Sequence, residues 1–103
     1  MDLQSLEALI TRWAKDKDLL VKENSYKQVA KLFEEGGEVA GSICKNNMEK
    51  FKDSVGDCFV VLTILAAQNG MTITECANYS WQEIKGRTGK TVDGMFVKQS
   101  DLD

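Results

Sequence analysis

Apolar residues recur along the chain at steps of three and four, the spacing of one side of an α-helix, in successive stretches divided by short polar breaks. Leu3, Leu6, Leu9, Ile10 and Trp13 mark a first amphipathic helix that fades in Lys15-Asp16-Lys17-Asp18. Ser25 with Gln28 has the form of a capping box, and Tyr26, Val29, Ala30, Phe33, Ala40, Ile43 and Cys44 carry a second helix to Asn46-Asn47. A third helix is predicted from about Met48 to Gln68, with Asn69-Gly70 as a left-handed stop. Thr72 with Glu75 forms another capping box, starting a fourth helix through Cys76, Ala77, Trp81 and Ile84 that loses support at Gly86 and Gly89. The pattern then changes: Thr91-Val92-Asp93-Gly94-Met95-Phe96-Val97 sets an Asp-Gly turn between β-formers, predicting a hairpin over 91–97.

These elements define an all-α fold, an antiparallel bundle of four to five helices with a small C-terminal β-hairpin, in a single domain over residues 1–103. A chain of 103 residues encloses a modest core, which favours self-association as a homodimer or homotetramer. Thirteen basic against 16 acidic side chains leave a net charge of −3, so nothing draws the chain toward nucleic acid polymers or anionic membranes, and a phosphate-bearing ligand must be held locally. The three cysteines, Cys44, Cys58 and Cys76, occupy apolar positions without a Cys-x-x-Cys pair, the pattern of reduced thiols rather than of zinc ligands. The first residues lack the basic start and apolar run of a signal peptide, and no apolar stretch is long enough to span a bilayer. The expectation is a soluble, cytoplasmic protein.

Candidate chemistry lies in two acidic clusters, Glu34-Glu35-Gly36-Gly37-Glu38 and Asp53-Ser54-Val55-Gly56-Asp57, on consecutive predicted helices. On an ideal wheel Asp57 falls between Val61 and Ile64, so the bundle half-buries it, and its charge then needs a metal, a Lys or Arg partner, or a capping role. Glu35 lies at the edge of the apolar stripe, near Leu32 and Val39, whereas Glu34 and Glu38 lie farther round, beside Lys27 and Lys31. A site using Glu38 then needs a second subunit or the C-terminal segment to cover that face. The plainer reading of this helix flank is a solvated surface with ion pairs such as Lys31 with Glu34 or Glu35. Gly36-Gly37 in mid-helix costs about 1 kcal/mol per residue against alanine, to be offset by close helix packing or by room beside the acids.

Phe33-Glu34-Glu35-Gly36-Gly37-Glu38-Val39-Ala40 and Lys52-Asp53-Ser54-Val55-Gly56-Asp57-Cys58-Phe59-Val60-Val61-Leu62 resemble the two signature segments of the MazG-type nucleoside triphosphate pyrophosphohydrolases. Glu83-Ile84-Lys85-Gly86-Arg87-Thr88-Gly89-Lys90 and Gly94-Met95-Phe96-Val97-Lys98 are similar to the tail of short MazG-like proteins of phages and bacteria, so the resemblance covers roughly residues 25–100. It implies hydrolysis of a nucleoside triphosphate between its α- and β-phosphates, giving a monophosphate and pyrophosphate, with Mg²⁺ or alternatively Mn²⁺. By position Glu35, Glu38 and Asp57 match the family's metal ligands, and Glu34 matches the other acid of the first segment. Ser54 stands where the family usually has a glutamate, and Asp53, one residue earlier, is the available substitute ligand.

The working assignment has Glu35, Glu38, Asp57 and Asp53 as metal ligands, with Glu34 and Glu38 as the catalytic acids. Lys85, Arg87 and Lys90, clustered between glycines, are the candidate substrate phosphate contacts; basic residues also suit a helix C-terminus for purely structural reasons. The chain has no histidine, which excludes His-dependent nucleophilic schemes and His-ligated metals. Trp13 and Trp81 each sit in an apolar stripe, where packing in the core outweighs stacking on a base. Two alternatives stand beside hydrolysis. The first is a nucleotide-binding or sequestering protein that lost efficient chemistry at Ser54, and the second is a helical interaction module without a ligand.

Overall fold

The computed structural model describes all residues, 1–103. Helix α1 spans Leu3–Asp16, α2 Ser25–Cys44, α3 Met48–Gln68 and α4 Ile73–Ile84; strands β1 (Gly89–Val92) and β2 (Met95–Lys98) follow, and a one-turn helix α5, Gln99–Leu102, ends the chain. The fold is therefore mostly helical with a two-stranded C-terminal sheet, as the pattern predicts. The terminal turn α5 has no apolar period of its own.

Helices α1, α2 and α3 stop the same way. Asp18, Asn46 and Gly70 take left-handed backbone conformations just past the three helix ends, with φ of 58°, 52° and 73°. In each case the next two N–H groups return to carbonyls of the last turn, as in Asn46 N to Ile43 O at 3.1 Å and Asn47 N to Ser42 O at 2.9 Å. The three-residue link Lys45–Asn47 therefore folds α3 back along α2. Asn69 at the far end of α3 donates to Ser25 Oγ at the start of α2, over 3.0 Å, which fixes the pair as antiparallel.

Helix α4 begins on the predicted capping box: Glu75 N donates to Thr72 Oγ1 at 3.0 Å and Thr72 N donates to Glu75 Oε1 at 3.1 Å. It leaves α3 at 100°, so the antiparallel neighbour relation expected for this pair gives way to a near-perpendicular crossing. The capping box expected at Ser25 also fails to form. A single 3₁₀ turn over Lys22–Asn24 runs directly into α2, and Ser25 Oγ donates back to Lys22 O at 2.7 Å instead. In the hairpin, Asp93 and Gly94 both have positive φ, 51° and 79°, the mirror-image turn that matches strand twist, with Val92 paired to Met95. No single helix is long and apolar enough to cross a membrane.

The interior is small. Ala14, Val61 and Ile64 are the only buried apolar residues, joined by buried Glu7, Ser42, Ser54, Thr63 and Gln68. The polar members are bonded at Thr63, whose hydroxyl donates to Phe59 O, at Ser42, which donates to Val39 O, and at Gln68, whose amide donates to Leu19 O. The radius of gyration of 16.3 Å exceeds the roughly 13 Å of a compact domain of this length. Trp13 and Trp81, expected in the core, are 51% and 56% exposed. Their stripes face outward in the single chain because α1 and α4 cover only part of α3.

Candidate metal centre

The α2–α3 hairpin sets Glu35 and Glu38 of one helix opposite Asp57 of the other. One carboxylate oxygen from each lies within 4.8 Å of the other two. Glu38 thus belongs to the same cluster as Glu35, and no covering subunit is needed to bring it in. The crossing of α2 over α3 turns the flank on which Glu38 sits toward the N-terminal turns of α3, a rotation that a single-helix wheel does not contain.

Asp57 is half-buried as expected, in the middle of α3, and so caps nothing. No Lys or Arg pairs with it, because the one ion pair of the chain joins Lys50 Nζ to Glu38 Oε2 at 3.2 Å. Within the chain neither a cap nor a basic partner compensates its charge, which leaves the carboxylate free to ligate a cation. Glu35 makes the same demand: its Oε2 is buried and has no hydrogen-bond partner. Burial first, then contact with Glu38, and then the negative charges of Glu38, Asp57 and Glu34 raise the Glu35 carboxyl above its ordinary range. Glu38 moves the other way, lowered chiefly by the hydrogen bond from Lys50, which is itself raised by that bond. Three convergent carboxylates with one orphaned oxygen are a donor set suited to a hard divalent ion.

The remaining candidates sit around this centre. Glu34 and Asp53 are exposed and outside the cluster; Glu34 borders a polar recess beside Glu38, and the charge of Asp53 acts on Lys50. Ser54 is fully buried, with its hydroxyl unpartnered, one turn before Asp57. Lys31 forms no ion pair with Glu34 or Glu35, so the plain reading of this flank as intrahelical salt bridges is not realised. Lys31 instead borders the cleft beside Glu35 and Asp57, and its charge helps lower Glu38. Lys85 ends α4, Arg87 follows, and Lys90 lies on β1; all are exposed, and the hairpin packs chiefly on α5, so one chain does not bring them to the acids.

Two recesses flank the acids. A cleft of about 300 Å³ is lined by Trp13, Leu19, Gln28, Glu35, Asp57 and their apolar neighbours on α3. The other, about 500 Å³, is lined by no hydrophobic residue and includes Gly37, Gly41, Lys45, Asn47 and Lys50. A Cβ built on Gly36, Gly37 or Gly41 would meet nothing within 4 Å, so these glycines leave open space rather than a close helix contact. Lys50 and Gln28, whose Oε1 is buried and unpartnered, are functional candidates that the sequence reading passes over. The signal was present in the spacing: Lys50 precedes Asp57 by two turns, and Gln28 precedes Glu35 by two turns, each on the face of its acid. Cys58 beside the centre has its thiol pushed up by burial and then by the charges of Glu35 and Asp57, which keeps it protonated.

A helical hairpin that gathers carboxylates from both arms defines a class of α-helical protein with an acidic centre between two antiparallel helices. Residues 23–91 match the MazG nucleotide pyrophosphohydrolase domain, so the chain belongs to the MazG family. It is also 48% identical over 68 residues to an uncharacterized 18.2 kDa protein in the rep-hol intergenic region of Haemophilus phage HP1 (strain HP1c1), a match covering 66% of this chain and 42% of that relative. The chain thus spans less than half of the phage protein. No solved structure matches.

Proposed function

We propose that the protein is a Mg²⁺-dependent nucleoside triphosphate pyrophosphohydrolase that converts a (d)NTP and water to a (d)NMP and pyrophosphate. The observation that carries this reading is the convergence of Glu35, Glu38 and Asp57 around the orphaned Glu35 oxygen, within the region that matches the family. Glu35, Glu38 and Asp57 would hold the ion. When bound, the metal supplies charge neutralisation at phosphate oxygens and a more acidic water. Glu34, exposed beside Glu38 on the polar recess, is placed to take a proton from solvent-side water. Lys31 borders the cleft with Glu35 and Asp57 and contributes positive charge for the phosphates. Lys85, Arg87 and Lys90 reach an acidic centre only from a second copy, which fits a homodimer or homotetramer with nucleotide, rather than a nucleic acid polymer or a membrane, as the partner.

Incubation with individual dNTPs and NTPs plus Mg²⁺, with separation of products, tests the reaction. Monophosphate with pyrophosphate is expected, and diphosphate with orthophosphate rules the proposal out. A second reading rests on Ser54, whose buried neutral hydroxyl stands where a family glutamate would add charge. It makes the chain a nucleotide-sequestering protein, recognised by tight calorimetric binding without product.

A further inference from the structure

We infer that Lys50 is a built-in counter-ion of Glu38, which yields that carboxylate to a divalent metal and then turns its ammonium into the neighbouring polar recess to hold the pyrophosphate part of a phosphoanhydride. The inference rests on the metal-dependent reading above and assigns a residue that reading does not use. Lys50 Nζ lies 3.2 Å from Glu38 Oε2, so a carboxylate that a metal would take is already engaged by a cation of the chain itself. One turn farther along α3 stand Asp53 and Ser54; Ser54 has no charge and Asp53, though a carboxylate, forms no ion pair with Lys50, whose ammonium is bound to Glu38 alone. Asp53 and Glu35 act on Lys50 only through their charge.

The exchange is easy in both directions. Side chains of Lys50 and Glu38 are 44% and 37% exposed, and an ion pair at such a surface is weakly held. The lysine stem is long and flexible enough to swing without moving the helix. Charge balance keeps the displaced ammonium nearby, because three carboxylates against a divalent ion leave one negative charge for it to offset. Where it swings is open: the recess has glycine at positions 37 and 41, no hydrophobic residue in its lining, and a second lysine, Lys45, beside Asn47. Two lysines facing one polar recess beside a metal suit the diphosphate end of a ligand rather than a base or sugar.

Calorimetric titration of the whole chain with Mg²⁺ alone, then with inorganic pyrophosphate in Mg²⁺, tests this on the native protein and on Lys50→Met, Lys50→Arg and Lys45→Met. Lys50→Met should bind the metal about two- to fivefold more tightly, the worth of an exposed competing pair, and bind pyrophosphate about tenfold more weakly. Lys50→Arg should behave like the native chain in both titrations, while Lys45→Met should lose pyrophosphate affinity with metal affinity unchanged. Unchanged or weaker metal binding by Lys50→Met, or unchanged pyrophosphate binding, overturns the inference and leaves the metal centre standing. If the native chain takes up no divalent ion, the inference and the functional reading fall together.

Discussion

The Glu7 carboxylate of α1 accepts a hydrogen bond of 2.8 Å from the backbone N–H of Thr74 in the first turn of α4, across 67 residues of sequence. That N–H is one of the donors a helix start leaves without an internal partner, and a negative charge there also suits the helix dipole. Glu7 is buried, whereas Thr74 at the other end of the bond is exposed. Since α4 leaves α3 at 100° and packs little against the rest, this bond is a principal tie between α4 and α1.

Replacing Glu7 with alanine is therefore expected to destabilise the chain by about 1.5 kcal/mol, the low end for a part-buried hydrogen bond to a charged acceptor. Glu7→Gln, which keeps an acceptor oxygen, should lose less than half of that. Equilibrium denaturation in urea measures both, and amide exchange at Thr74 should accelerate selectively in the alanine variant. Equal stability of the alanine variant and the native chain would remove Glu7 from the account of how α4 is held.

Metal uptake should appear as stability, because only the folded hairpin brings Glu35, Glu38 and Asp57 together. At a free Mg²⁺ concentration ten times its dissociation constant, native-state binding adds about 1.4 kcal/mol. Thermal unfolding with and without Mg²⁺ should show that increment in the native chain and none in Asp57→Asn or Glu38→Gln. Retention of the increment in both variants would place the ion elsewhere.

Acidity separates the metal-free and metal-bound chains. The Glu35 carboxyl is raised above its ordinary 4.5, so the folded chain binds a proton more tightly there than the unfolded one. Its contribution to stability is complete below that ordinary value and is lost as pH rises through the folded value. Glu38, lowered by Lys50, has the opposite sign: its contribution is present above its ordinary 4.5 and disappears as pH falls through the folded value. At neutral pH the metal-free chain therefore carries an unfavourable ionised Glu35. Glu35→Gln is expected to raise the metal-free unfolding temperature at neutral pH, to lose that advantage below the ordinary carboxylate range, and to remove stabilisation by Mg²⁺. A Glu35→Gln chain less stable than native at neutral pH without metal would show that the ionised carboxylate is well accommodated.

The helices and the hairpin were legible because each rests on local chemistry. Period, capping at Thr72 and stops at Asn46 and Gly70 are decided within a few residues. Asp57 was legible for a related reason, since a carboxylate inside an apolar helix has few explanations. Glu38 was legible as a ligand from the family resemblance but not from its helix wheel, because its partners are set by the crossing of α2 and α3. The Lys50–Glu38 pair was hidden for the same reason. Trp13 and Trp81 failed differently: a stripe that faces solvent in one chain has the same period as one that faces the core.

Outward apolar stripes also run along α2 and α3. On α3, Met48, Val55 and Leu62 are seven residues apart, hence on one face, and are 51%, 45% and 39% exposed. On α2, Tyr26 and Phe33 repeat the spacing at 67% and 78% exposure. Val61 and Ile64 are buried on α3, so that helix is apolar on more than one side, the composition of a helix surrounded by others. A second α2–α3 hairpin would supply the missing helices and complete a four-helix core. The chain is expected to sediment as a dimer or larger assembly, and its unfolding temperature should rise with protein concentration. Leu62→Lys, on the exposed stripe and away from Asp57, should shift it toward monomer and lower that temperature. A native chain that sediments as a monomer, with an unfolding temperature independent of concentration, would mean that these apolar faces remain in water.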